Sequence, residues 1–75
     1  MEATRSVTAL ISREGDLFVA LCPEFDVASQ GATVEEARDN LVEALGLFFE
    51  TASDSEIVRR GTSEVYVTRL EVEVG

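Results

Sequence analysis

The hydrophobic pattern of this chain predicts an α+β domain. It has an antiparallel sheet of three to four strands and one main helix packed on one face, in the order β-β-β-α-β. Three observations carry that prediction. An alternating, β-branched run and a near-continuous apolar run flank a glycine turn near the start, a capped amphipathic helix occupies the middle, and clear alternation returns at the end. With 75 residues there is room for one domain, spanning 1–75, and no repeat or linker divides it.

The elements follow in order. "TRSVTALISR" (4–13) has the β-branched content and alternation of a strand, and "EGD" (14–16) supplies the turn. "LFVALC" (17–22) returns as the second strand, and its near-continuous apolar run predicts burial on both faces. Pro23 lacks an amide hydrogen, so the ladder should break there, with "FDVASQG" (25–31) forming a short third strand. Thr33 then caps a helix beginning at Val34, with Glu36 at the capping-box position and Glu35 beside it at the positive end of the helix dipole. Val34, Ala37, Leu41, Ala44, Leu45, Phe48 and Ala52 recur at helical spacing and should face the sheet. "SDSEIVRRG" (53–61) reads as a loop or short helical turn. In the last segment Tyr66, Thr68, Leu70, Val72 and Val74 alternate with Val67, Arg69, Glu71 and Glu73, the pattern of a half-exposed fourth strand.

Composition narrows the function. Six arginines, no lysine or histidine, and fifteen carboxylates give a formal charge of −9, which repels nucleic acid and anionic lipid and attracts a polybasic partner. Arg59 and Arg60 are the only adjacent basic pair, too little for a nucleic-acid footprint. With one cysteine, no apolar run long enough for a membrane span and no signal-peptide pattern, the expected compartment is cytoplasmic.

No catalytic set emerges. A nucleophilic Cys22 would need a base or a positive neighbour, yet there is no histidine, and Glu24 and Asp26 would raise its pKa. Alternation puts Cys22 with Phe18 and Ala20, as a small buried residue. Glu24, Asp26, Glu35, Glu36 and Asp39 lack the spacing of a calcium loop, and the five scattered glycines form no phosphate cradle. The expectation is a non-enzymatic protein without metal or cofactor.

The stretch "EGDLFVALCPEFDVASQGATVEEARDNLVEAL" (14–45) resembles the HicB family, the antitoxin side of the HicA–HicB toxin–antitoxin systems and its stand-alone relatives. The resemblance lies in Gly15 at the hairpin turn, Val19 and Ala20 in the second strand, and Pro23-Glu24 after it. It continues through Ser29 and Gly31 before the helix, Thr33 as cap, and Glu35-Glu36-Ala37. It implies a truncated RNase H-like fold without catalytic carboxylates, and a partner in the form of a small basic HicA-type toxin that cleaves RNA. Many relatives carry a C-terminal DNA-binding segment. The sequence here ends at Gly75 after the last predicted strand, so no direct DNA binding is expected. Asp26 also departs from the family, where many relatives have proline followed by glycine.

Three residues at the turn, Glu24, Phe25 and Asp26, are the candidate partner contacts, an apolar anchor between two acids. Burial of Phe25 in the core is the competing reading. An orphan oligomeric scaffold or regulator, and a small-molecule binding domain with a pocket at an inter-subunit seam, are the alternative functions. A short chain with a doubly apolar second strand favours a homodimer or higher homo-oligomer. Val42, Gly46 and Phe49, or the outer sheet face, are the candidate seam.

Overall fold

The computed structural model describes residues 5–75. Its sheet has three antiparallel strands in the order β1-β2-β3, namely β1 (Leu10–Glu14), β2 (Leu17–Cys22) and β3 (Val27–Gly31). Helix α1 (Val34–Thr51) packs on one face, and a second helix, α2 (Asp54–Gly61), follows it.

A two-residue turn joins β1 to β2, with Gly15 at φ +62°. Glycine at the first central position is what a type II′ hairpin requires, and its twist matches that of the strands. Because Glu14 pairs with Leu17 across this turn, the register continues through Ser12 with Val19 and Leu10 with Leu21. The next bonded pair would set Thr8 against Pro23. Proline cannot donate, and β2 ends at Cys22.

Directly opposed residues share a face. Ile11, Phe18, Ala20, Cys22 and Val27 therefore point toward α1, where they meet Ala37, Leu41 and Leu45; Ala20, Cys22 and Ala37 are fully buried. Small residues on the central strand let the helix sit close to the sheet. At Gly31 the approach is closest, since a Cβ there would lie 2.6 Å from the Ala37 amide nitrogen. The Thr33 hydroxyl accepts the Glu36 amide at 3.0 Å, the expected half of a capping box.

The structure corrects the sequence reading at several points. The fourth strand of the predicted β-β-β-α-β order does not form: residues 63–75 belong to no sheet or helix. Tyr66, Leu70, Val72 and Val74 are between 76% and 93% exposed. Alternation specifies a pleated conformation but supplies no neighbour, and the segment pairs with neither edge of the sheet. Residues 53–61, read as a loop or short helical turn, form α2, capped by Ser53, whose hydroxyl accepts the Glu56 amide at 3.2 Å. The first strand begins at Leu10, not at residue 4, which lies outside the described residues. Val34, expected against the sheet, is 42% exposed because the first helical turn projects past the end of β3.

The opposite sheet face carries Leu10, Leu17, Val19 and Leu21, and neither helix forms a layer over it. Leu10 and Leu17 are 38% and 40% exposed. Burial of β2 on both faces is thus only half realised.

Candidate functional site

The corner between β2 and β3 is where side chains from distant parts of the chain converge. Past the end of the ladder at Cys22, Thr8 bonds to a side chain in place of the opposing backbone. Its amide and its hydroxyl both donate to Glu24 Oε2, at 2.9 and 2.8 Å. Glu24 Oε1 accepts from the Cys22 thiol at 3.5 Å. Burial pushes the Glu24 carboxyl up, but the Thr8 hydroxyl, backbone amides and the Cys22 thiol outweigh it and hold the group below its ordinary value.

Cys22 is fully buried, and desolvation raises its pKa, with the Glu24 carboxylate adding to the effect against a smaller lowering by the Phe25 and Glu24 amides. A buried, protonated thiol lacks the thiolate character and the access that nucleophilic attack needs. Sequence alternation anticipated that placement.

Phe25 is 1% exposed and is the largest fully buried side chain. Its ring centroid lies 5.6 Å from Phe48 and 5.0 Å, edge to face, from Phe49. Phe48 and Phe49 meet at 5.7 Å, and the Arg5 guanidinium sits 5.9 Å from the Phe49 centroid. From α2, Arg60 Nη1 donates to the Phe25 carbonyl at 2.7 Å, and its Nε lies 3.5 Å from Glu56. Asp26 follows with φ +56° and is exposed.

The three turn residues singled out in the sequence are therefore adjacent but have different surroundings. Asp26 faces solvent, Glu24 is held by Thr8, and the Phe25 ring is closed into the core, so it cannot serve as an exposed anchor in this conformation. Among the candidate seam residues, Val42 is 58% exposed and Gly46 has open space around it, whereas Phe49 is half-buried in the aromatic cluster. An aspartate at position 49 would disturb that cluster and would not report cleanly on a seam.

Thr8, Arg5 and Arg60 were not foreseen. Pro23 marked where the ladder ends, but nothing in the sequence assigns the two Thr8 donors to Glu24. The cations are placed by tertiary packing alone.

Along α1, Glu35, Asp39, Glu43 and Glu50 form an exposed acidic row at spacings of four, four and seven. Beside it, Ser29, Asn40, Glu43, Ala44 and Leu47 line an open depression of about 260 Å³. The Asn40 amide already donates to the Gln30 carbonyl there, at 2.8 Å. Among the described residues no group of three or more metal-ligating side chains occurs, and no helix is long and apolar enough to cross a membrane. Comparison with family models, with curated proteins and with solved structures finds no match to the chain.

Proposed function

We propose that this protein is an antitoxin-type binding module of HicB-like, truncated RNase H-like architecture, which neutralises a small basic RNA-cleaving partner by covering it with an acidic surface. The observation that carries the reading is the −9 charge with carboxylates arrayed along the exposed side of α1. Such a surface attracts a cationic partner over several ångströms and repels the RNA that the partner would cleave. The resemblance over residues 14–45 supports the same assignment. The acids at 35, 39 and 43 supply the attraction along α1, Glu24 and Asp26 add to it at the β2–β3 turn, and Phe25 holds that turn in place from within the core.

The test is purification of the full chain from its native cell at low salt. A small basic protein should accompany it and dissociate as salt rises, and changing Glu35, Asp39 and Glu43 together to lysine should slow association at least ~10-fold. Recovery of the chain without a basic partner would overturn the reading. In that case the orphan scaffold becomes the better assignment, favoured by the uncovered apolar face at Leu10 and Leu17.

A further inference from the structure

Residues 65–74 have the pattern of a strand and no strand beside them. Their alternation leaves Tyr66, Leu70, Val72 and Val74 exposed on one side, an apolar row of a kind that monomeric proteins seldom show to water. The molecule measures 52 × 27 × 19 Å with a radius of gyration of 14.6 Å, against about 11 Å for a compact chain of this length. No ladder pairing joins the segment to its own sheet.

The β1 edge of the sheet is open to receive it. In the β1-β2 register, Ile11 and Arg13 fall between the bonded pairs, so their amides and carbonyls point outward from β1. No hydrogen bond from another described residue occupies them. The β3 edge is different, because Asn40 already takes the Gln30 carbonyl.

We infer that residues 65–74 of one copy add as a fourth strand to the β1 edge of a second copy, reciprocally, to form a two-fold dimer. Period-two geometry selects the face. With Leu70, Val72 and Val74 on the side of Leu10, the apolar outer face widens, and Glu71 and Glu73 fall on the side of Arg13, whose guanidinium lies over Phe18 at 5.6 Å. Val67 then lies on the side of Ile11. The opposite setting would place both carboxylates among the leucines. This inference stands apart from the antitoxin assignment and needs no basic partner.

Hydrogen exchange of the full chain across a dilution series, with sedimentation equilibrium in parallel, tests it. At high micromolar concentration the mass should be twice 8.2 kDa and the amides of 65–74 protected; on dilution, mass and protection should fall together. The double variant Leu70→Pro, Glu71→Pro removes one amide on each side of the segment, so whichever side faces β1 loses a donor. It should run at 8.2 kDa with protection of β2 and α1 unchanged. Protection that is independent of concentration would mean that the segment closes on its own sheet, and absence of protection at every concentration would mean that it forms no strand. A double variant that stays at twice the mass would place the interface elsewhere. Each of these three results overturns the inference.

Discussion

Glu24 is held by two donors from Thr8, and the consequence is a pH-dependent contribution to folding. A carboxyl whose folded pKa lies below its unfolded one stabilises the fold fully above the unfolded value, about 4.3, and loses that contribution as pH falls through the folded value. Thr8→Val removes the hydroxyl donor while leaving the amide. It should cost on the order of 1 kcal/mol at pH 7, with the difference from wild type shrinking under acid, as read by urea denaturation at several pH values. Asp26 makes a second case. At φ +56° it sits in the left-handed region, which costs most L-residues about 1–2 kcal/mol and glycine nothing. Asp26→Gly should be neutral or stabilising by up to ~1 kcal/mol, whereas Asp26→Val should destabilise by ~1–2 kcal/mol; thermal melts of the two would separate them.

At the scale of elements, two glycines make opposite predictions. Gly31 ends β3 directly under the start of α1, where an added methyl would meet the Glu36 carbonyl carbon at 2.8 Å as well as the Ala37 amide. Gly31→Ala should cost ~1–3 kcal/mol by forcing helix and strand apart. Gly46 lies in mid-helix with no neighbour within 4 Å of such a methyl, so Gly46→Ala should stabilise by ~1 kcal/mol and raise the melting temperature by roughly 4–8 °C. The oligomeric state should not change, and a dimer weakened by this alanine would show that α1 carries the seam. These elements also show what was legible in advance. Turn chemistry at Gly15, the missing donor of Pro23 and the Thr33 cap are local signals, and each marks a real boundary in the structure. The segment beginning at Tyr66 was misjudged because alternation is a property of one strand and pairing a property of two. The turn was legible as a location, but the role of Phe25 depended on Phe48 and Phe49, more than twenty residues away in sequence.

For the whole molecule, charge and apolar surface act against each other. Two copies at −9 repel, so any association between them should strengthen as salt screens the repulsion, while binding to a basic partner should weaken. One salt titration therefore separates the two kinds of complex. The exposed C-terminal segment has a further consequence. It contains no proline, is dense in valine, and is interrupted by Glu71 and Glu73, which at neutral pH act as gatekeepers against stacking. Near pH 4.2, where the net charge of the chain vanishes, that colloidal protection disappears. Identical segments from many molecules could then pile in register at a 4.7 Å repeat, a cross-β fibril in place of a closed dimer. Thioflavin fluorescence should rise at pH 4.2 and stay flat at pH 7, and the Leu70→Pro, Glu71→Pro variant should abolish the rise. The same alternation that suits a strand for one partner leaves it, once its charge is gone, open to an unlimited number.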